Sequence, residues 1–172
     1  MIVVLLGYMG SGKSSVGKPL ANRLNFTFLD LDCYIENQHA TSILNLFETK
    51  SALEFRQIER KAVFEICKSH SNLVLALGGG TPCYGDILPY LLSNSNVFTV
   101  YLKASVKSLT MRLITEKSNR PIIANIPDEK LSDFIAKHLF ERSVFYTQAE
   151  FTVEVSLIQI DEVVKKIHQA LN

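Results

Sequence analysis

Few cysteines, no long apolar run and almost no net charge limit what this chain of 172 residues can be. Its three cysteines, Cys33, Cys67 and Cys83, are too few and too scattered for a disulfide framework, and they lack the C-x-x-C spacing of a zinc site. Reduced thiols of this kind are typical of cytoplasmic proteins. No apolar run approaches the ~20 residues of a membrane-spanning helix. We therefore expect a cytoplasmic protein without a membrane segment.

A signal peptide, a strong charge and a linker are also missing. The apolar run from Met1 to Leu6 has no basic region before it and ends early at Gly7, which argues against a signal peptide. A net charge of +1 argues against nucleic acid or an anionic membrane as the main partner. Without repeats or linkers, the sequence predicts one domain over residues 1–172, with a monomer as the default.

Short apolar runs rich in β-formers alternate with longer segments of helical periodicity. Near-continuous runs such as IVVLL and LVLAL suit strands that are buried on both faces, as in a parallel sheet. This alternation predicts an α/β fold with right-handed crossovers. The predicted strands span residues 2–6, 27–30, 73–77, 97–102 and 151–155. The predicted helices span residues 13–24, 42–49, 52–69, 85–92, 106–115, 129–147 and 161–170.

Two helix starts have local signatures. Ser51 precedes Glu54 by three residues, which is the capping-box pattern for the helix that carries Arg56. Ser105 is expected to cap the helix that follows it.

The segment from Gly7 to Ser14 matches the phosphate-loop motif G-x-x-x-x-G-K-[ST] in full. Its glycines let several backbone N–H groups point at one phosphate chain, and the following helix adds its N-terminal partial charge. We expect Lys13 to reach the β- and γ-phosphates and the Ser14 hydroxyl to hold Mg²⁺. The predicted nucleotide contacts of the loop are Gly10, Ser11, Gly12, Lys13, Ser14 and Ser15.

Asp30 and Asp32 follow the second predicted strand. In an extended segment, residues two apart face the same side, so both carboxylates are expected to face the phosphate loop. One would order the magnesium waters, and the other would accept or orient a substrate hydroxyl. The alternative is that Asp32 only caps the next helix.

The segment Glu54-Phe55-Arg56 begins a predicted helix, on which Phe55 and Arg56 point about 100° apart and can border one cleft. A guanidinium is the natural two-pronged partner of a carboxylate, and Glu59 can brace it from one turn away. Alone, such charges usually belong to a solvated helix face. Glycines 78–80 let backbone N–H groups approach a ligand, although three glycines also form ordinary turns.

The polar stretch 116–125 lies between predicted helices and contains Arg120 and Pro121. It is typical of a mobile lid, over about residues 116–126, that folds over a bound nucleotide. Arg120 would then contact the transferred phosphoryl group. An exposed loop arginine is the alternative.

Together, these motifs resemble the shikimate kinase family. The matching segments, in family order, are GYMGSGKSSVGKPLA at 7–21, FLDLD at 28–32, EFRQIE at 54–59, LGGGT at 77–81, RPII at 120–123 and ERSVFY at 141–146. The resemblance covers essentially the whole chain. It implies a three-layer P-loop kinase fold, whose five-stranded parallel sheet has the order 2-3-1-4-5 with helices on both faces. It also implies transfer of the ATP γ-phosphate to the 3-hydroxyl of shikimate, a step of aromatic amino acid biosynthesis.

The resemblance implies a role for each matching residue. Lys13 and Ser14 serve the ATP phosphates and Mg²⁺, with Asp30 near the water shell of the metal. Asp32 meets the accepting hydroxyl, as a base or an orienting group. Arg120 is the lid arginine, and Arg112 lies against the adenine. The acid site, partly within a helical region over about residues 33–60, comprises the carboxylate clamp Arg56 and Arg142, the lining glycines Gly78, Gly79 and Gly80, and the apolar wall Phe47 and Phe55.

Three alternatives stay open. A kinase resembling gluconate kinase would share the loop and the lid, although the E-F-R and G-G-G segments argue against it. A nucleoside monophosphate kinase would need arginines for a second phosphate and a site for a second base. A nucleotide-binding regulatory protein without kinase chemistry is expected to lose its charged site residues. Those residues, Lys13, Asp32, Arg56, Arg120 and Arg142, are all present here.

Overall fold

The computed structural model describes residues 1–117 and 120–171 of the chain. Within them, five strands form a parallel sheet of order β2-β3-β1-β4-β5 with helices on both faces, as predicted. The strands are β1 (Ile2–Leu6), β2 (Thr27–Asp30), β3 (Leu73–Ala76), β4 (Val97–Lys103) and β5 (Phe151–Glu154). The central strand β1 pairs with β3 and β4, and both β1 and β3 are buried along their whole length. This double burial explains their continuous apolar sequences.

The connections between the strands are mostly helical. The helices are α1 (Lys13–Leu24), α2 (Leu31–His39), α3 (Ile43–Thr49), α4 (Ala52–Ser69), α5 (Ile87–Ser93), α6 (Val106–Glu116), α7 (Pro121–Ala124), α8 (Asp128–Tyr146) and α9 (Ile160–Ala170). Helix α1 packs against α9, α6 packs against α8, and α4 contacts both α2 and α5. Of the helices in the described ranges, none has the length and apolarity needed to cross a membrane.

Both predicted helix caps are confirmed. The Ser51 hydroxyl accepts a hydrogen bond from the Glu54 N–H at 3.2 Å, and the Ser51 N–H donates to Glu54 Oε2 at 2.8 Å. The Ser105 hydroxyl accepts from the N–H of Ser108 at 3.2 Å, at the start of α6. These bonds satisfy backbone donors that have no partner inside the helix.

The prediction of an extended segment from Asp30 to Asp32 was wrong. Asp30 is the last extended residue, and its Oδ1 accepts hydrogen bonds from the N–H groups of Asp32 (3.1 Å) and Cys33 (3.5 Å). This N-cap turns the chain into α2 at Leu31, so Asp32 lies in the first turn of a helix. The capping aspartate is therefore Asp30, and Asp32 remains available for another role.

Most boundaries agree with the predicted ones to within one residue, and two other segments differ by more. Helix α5 begins at Ile87, because Gly85 has a φ of 60° that an α-helix cannot contain. The predicted loop over 116–126 includes the end of α6 and the short helix α7, whose N-cap is Arg120. Ser118 and Asn119 of this segment lie outside the described residues.

Candidate active site

Three neighbouring strands end at the same edge of the sheet, and predicted site residues lie at or directly after the end of each strand. Because β2, β3 and β1 are parallel and adjacent, the phosphate loop after β1, Asp30 at the end of β2 and the glycines after β3 converge. Ligands of open α/β sheets bind at such carboxyl ends. Two cavities, of about 550 and 590 Å³, open at this edge and share Met9, Asp32, Gly78, Gly79 and Arg120 as lining residues.

The phosphate loop curls as the motif predicts. Gly10 and Gly12 have φ angles of 76° and 90°, in the left-handed region that a residue without Cβ adopts at little cost. The Lys13 ammonium folds back over the loop and donates to the carbonyl oxygens of Gly7 (2.8 Å) and Tyr8 (3.0 Å). Burial lowers the pKa of Lys13 to about 8, while the charge of Asp32 acts in the opposite direction. At neutral pH most of the lysine still carries its charge.

The first cavity follows the phosphate loop. Its polar wall includes Gly10, Ser11, Gly12, Lys13, Ser14, Ser15, Asp30, Asp32, Arg112 and Arg120, all of which the sequence analysis singled out. Its apolar wall is formed by Val155 and Ile158, from the segment after β5, and by Ile160 and Val163 of α9. The cavity thus offers a charged end suited to phosphates and an apolar end suited to a flat base.

Ser14 and Asp30 place two oxygen atoms that can bind a metal ion side by side, next to the loop. The Ser14 hydroxyl donates to Asp30 Oδ2 at 2.7 Å. A hydroxyl and a carboxylate are the ligands that Mg²⁺ prefers, and Mg²⁺ usually keeps most of its remaining positions for water and phosphate oxygens. No cluster of three or more His, Cys, Asp or Glu suited to a metal occurs among the residues that the structure describes. The pair fits a cation that a nucleotide brings with it.

Asp32 stands where the two cavities meet. Burial raises its pKa to about 6, the charges of Asp30 and Glu59 add to this rise, and Lys13 opposes it. The carboxylate therefore borders both cavities and lies close enough to Lys13 to feel the charge of its ammonium. A group in this position can accept or orient a proton of a molecule in the second cavity.

The second cavity is lined by the predicted acid-site residues. They are Phe47, Phe55, Arg56, Gly78, Gly79, Gly80 and Arg142, together with Asp32 and Arg120. The ring centroids of Phe47 and Phe55 lie 4.1 Å apart and form an apolar wall. Glycine at position 80 leaves room for Arg56: a Cβ there would lie 2.8 Å from Arg56 Nη2, so the guanidinium would have to move.

Arg56 is held from several sides. Its guanidinium forms an ion pair with Glu59, and the carboxylate of Glu59 also accepts from the Thr81 hydroxyl at 2.6 Å. The ring of Tyr84 lies 4.1 Å from the guanidinium carbon, a cation–π contact. The predicted brace between Arg56 and Glu59 is therefore present, and Glu59 is only 2% exposed.

Arg142, on α8, is 7% exposed, and no carboxylate within the described ranges forms an ion pair with it. Its guanidinium lies beside two tyrosines: it is close to the side chain of Tyr146, one helical turn along α8, and faces the ring of Tyr8 at 5.9 Å. Tyr146 in turn donates to the Gly79 carbonyl oxygen. A buried cation without a counter-charge is costly, so this position favours an incoming anion.

Arg120 and Arg112 are the two remaining predicted arginines. Arg120 lines both cavities and donates to Glu116 Oε2 through Nη2 at 2.6 Å and Nε at 3.2 Å. Arg112 donates to the carbonyl oxygens of Gly10 (3.1 Å) and Val155 (2.8 Å). Arg112 therefore ties the phosphate loop to the apolar wall at which a base would lie.

Several residues that line or support the two cavities were not predicted as site residues from the sequence. Glu59 was expected only as a brace for Arg56. It had a further signal, because it falls on the buried stripe of α4 with Phe55, Ala62, Val63 and Ile66, where a carboxylate needs a partner. Tyr146 and Thr81 carry no such signal, because their roles depend on contacts with Gly79 and Glu59 far along the chain. The residues of the apolar wall of the first cavity likewise had no sequence signal that would have identified them.

Comparisons with known proteins all lead to one family. A family model described as shikimate kinase matches residues 9–172. A shikimate kinase from Flavobacterium johnsoniae is 44% identical over 96% of this chain and 95% of its own length. The crystal structure of shikimate kinase from Bacteroides thetaiotaomicron superposes with a TM-score of 0.92 at 35% identity, covering 99% of this chain and 98% of that one. Shikimate kinase from Acinetobacter baumannii, solved in complex with shikimate, has a TM-score of 0.88 at 30% identity, covering 99% and 92%.

Proposed function

The chain belongs to the shikimate kinase family, and we propose that it transfers the γ-phosphate of ATP to the 3-hydroxyl of shikimate. The products are shikimate 3-phosphate and ADP, in aromatic amino acid biosynthesis. Members of this family are ATP-dependent kinases, and the similarity extends over nearly the full length of this chain.

The observation that carries the proposal is the meeting of two different cavities at Asp32. One cavity contains the phosphate loop, and the other contains the cations Arg56 and Arg142. Shikimate is a compact monoanion with ring hydroxyls, so it needs a carboxylate clamp at one end and a hydroxyl aimed at the γ-phosphate at the other. Phosphoryl transfer depends mainly on such positioning and on charge neutralisation.

In this proposal, each acid-site residue acts on one part of the substrate. Arg56 and Arg142 bind the carboxylate, and Glu59 keeps the Arg56 guanidinium oriented. The backbone of Gly78, Gly79 and Gly80 approaches the ring hydroxyls. Phe47 and Phe55 cover the apolar side of the ring, over part of the helical region of about residues 33–60.

The chemistry requires one bond exchange. The bond between the γ-phosphorus and the β,γ-bridging oxygen breaks, and a bond from the 3-hydroxyl oxygen to that phosphorus forms. The hydroxyl proton passes to Asp32 and then to solvent. In a loose transition state this proton leaves late, so Asp32 need not be a strong base. Lys13 and Arg120 neutralise charge on the phosphates.

Mg²⁺ is part of the proposal, with Ser14 as a ligand and Asp30 ordering its waters. The 2.7 Å pair of oxygen donors supports this assignment. When bound, Mg²⁺ would neutralise charge on the β- and γ-phosphates. We also propose that Arg112 lies against the adenine and that the lid, about residues 116–126, closes with Arg120 over the nucleotide, which would limit ATP hydrolysis.

A coupled ADP-release assay with Mg·ATP tests the proposal, with shikimate, gluconate and AMP offered separately. Turnover with shikimate alone is the expected result. Turnover with gluconate instead would keep the phosphate loop and overturn the acid assignment. No turnover from folded protein that still binds ATP would favour a regulatory protein.

The proposal also includes a cytoplasmic monomer without nucleic acid or membrane partners. The net charge of +1 and the three free cysteines support these assignments. Light scattering coupled to size-exclusion chromatography tests the monomer, for which the expected mass is that of one 19.3 kDa chain.

A further inference from the structure

Tyr8 belongs to the phosphate loop, yet its side chain is buried in the protein, with 1% of its surface exposed. The loop motif allows any residue at this position, so nucleotide binding by itself does not demand a tyrosine. Burial raises the pKa of Tyr8 to about 12, with Arg142 acting in the opposite direction. The hydroxyl keeps its proton at neutral pH and, being buried, needs a hydrogen-bond partner.

The partner is His138, which lies on α8 and is 130 residues away in the chain. The distance from the Tyr8 hydroxyl oxygen to His138 Nδ1 is 2.9 Å, and the two rings meet edge to face with centroids 5.5 Å apart. Burial lowers the pKa of His138, Arg142 adds to this effect and Glu141 opposes it. With the neutral imidazole protonated on Nε2, the Tyr8 hydroxyl donates to Nδ1.

Arg142 follows His138 by four residues, so both side chains leave the same face of α8. The guanidinium carbon of Arg142 lies 5.9 Å from the centroid of the Tyr8 ring. One tyrosine of the phosphate loop therefore contacts two successive turns of the helix that carries the buried, unpaired cation of the second cavity. These contacts join the nucleotide-binding loop to the acid site.

We propose that Tyr8 and His138 are positioning residues for Arg142. Their hydrogen bond fixes α8 against the phosphate loop and thereby sets where the guanidinium meets the carboxylate of the acid. The inference rests on the proposed function, in which Arg142 binds that carboxylate. Neither Tyr8 nor His138 touches the substrate in this scheme.

Arg142 needs such positioning because a bidentate contact with a carboxylate tolerates little displacement. A guanidinium binds a carboxylate through two parallel hydrogen bonds, and displacements of about 0.5 Å weaken both. No ion pair within the described residues anchors Arg142, so its position depends on its tyrosine contacts and on the placement of its helix. Inside the protein, a hydrogen bond between neutral groups is strong and directional.

The test starts from Tyr8→Phe, which removes the hydroxyl and keeps the ring that faces Arg142. The Kd of shikimate is measured by calorimetry without nucleotide, and KM and kcat are measured with Mg·ATP. We expect the Kd and KM of shikimate to rise about fivefold, the usual effect of one lost hydrogen bond. The kcat and the KM of ATP should change by less than about twofold, because the reacting groups are untouched.

Substitutions of His138 form the second part of the test. His138→Leu should raise the Kd of shikimate about as much as Tyr8→Phe, because both remove the same bond. The double variant should be no worse than the weaker-binding single variant, since the two changes are not additive when they delete one interaction. His138→Asn, whose amide can take the place of Nδ1, should recover most of the affinity.

Tyr90→Phe is the matched control, because Tyr90 stacks on Phe64 at 3.8 Å and lines neither cavity. An unchanged shikimate Kd in Tyr8→Phe, beside an active wild type, would overturn the inference and leave the proposed function standing. Equal weakening of ATP and shikimate would also overturn it, as would a lower Tm with unchanged Kd. A wild type that neither binds nor phosphorylates shikimate would overturn both.

Discussion

The Ser14 hydroxyl donates a 2.7 Å hydrogen bond to Asp30 Oδ2, which joins the first turn of α1 to the end of β2. Asp30 also caps α2 through its other oxygen, Oδ1. One carboxylate therefore orders the helix that carries Asp32 and, in the proposed metal site, would order the waters of the cation. The local fold and the proposed metal site depend on the same side chain.

Removing the Ser14 hydroxyl tests the metal site. Ser14→Ala should lower kcat on the order of tenfold or more and raise the Mg²⁺ concentration needed for half-maximal activity. Ser14→Thr should restore both values, because threonine also supplies the hydroxyl that the motif requires. Measuring ADP release against free Mg²⁺ concentration gives both quantities. Full activity in excess EDTA would contradict the metal assignment.

Lys13 is expected to dominate the charge neutralisation of the phosphates. Lys13→Ala should reduce kcat about 100-fold or more while the fold survives. Lys18→Ala is the matched control, since Lys18 is exposed on the same helix and should leave turnover unchanged. Steady-state kinetics measures kcat of both variants, and circular dichroism checks that both are folded. Near-normal turnover in Lys13→Ala would remove the phosphate loop from the mechanism.

Asp32 is expected to act on the chemical step. Asp32→Asn keeps the shape of the side chain and removes its basicity, so kcat should fall about 100-fold. The KM of shikimate should change little, because the carboxylate clamp is intact. Single-turnover kinetics measures the chemical step directly. A variant with altered KM and normal kcat would make Asp32 a binding residue.

The same substitution should stabilise the protein without ligands. The pKa of Asp32 is about 6 in the folded protein, against 3.8 as its ordinary value, chiefly because of burial. The folded state thus binds this proton more tightly, and the Asp32 contribution to the free energy of unfolding falls as pH rises from about 4 to about 6. At pH 7.5, metal-free Asp32→Asn should be more stable by on the order of 1–2 kcal/mol.

Urea unfolding of both proteins in EDTA, between pH 4 and pH 8, measures this difference. The curves should meet near pH 4 and separate as pH rises through about 6. Parallel curves with no separation would show that Asp32 titrates normally.

The two arginines of the second cavity should govern acid binding. Arg142→Ala should raise the Kd of shikimate about 100-fold, because a buried charge contact is lost, while ATP binding stays within about twofold. Arg56→Ala should behave alike. Arg60→Ala is the control on the same helix, since Arg60 pairs with Asp86 outside both cavities. Calorimetric titration with each ligand distinguishes these outcomes, and equal loss of both affinities would reject the clamp.

The sequence predicted the sheet and most residues that line the two cavities, but it did not predict every local turn of the chain. The parallel sheet followed from apolar runs such as Ile2–Leu6, because strands buried on both faces leave a local record. The turn of the chain after Asp30 was predicted wrongly, because the sequence Asp30-Leu31-Asp32 fits both an extended segment and a helix that Asp30 caps. The start of α5 was also misplaced, since Gly85 adopts a left-handed φ that composition does not reveal.

By itself, the sequence determined the features that contiguous residues encode. The phosphate loop with Lys13 and Ser14 and the capping box at Ser51 depend on backbone geometry within a few residues, which local side chains dictate. Tertiary structure alone decided which distant groups meet, such as Tyr8 with His138. It also decided that the Thr81 hydroxyl meets Glu59 and that Arg142 has no carboxylate partner within the described ranges. These relationships arise from packing between elements far apart in the chain, and such contacts leave no periodic or local signal in the sequence.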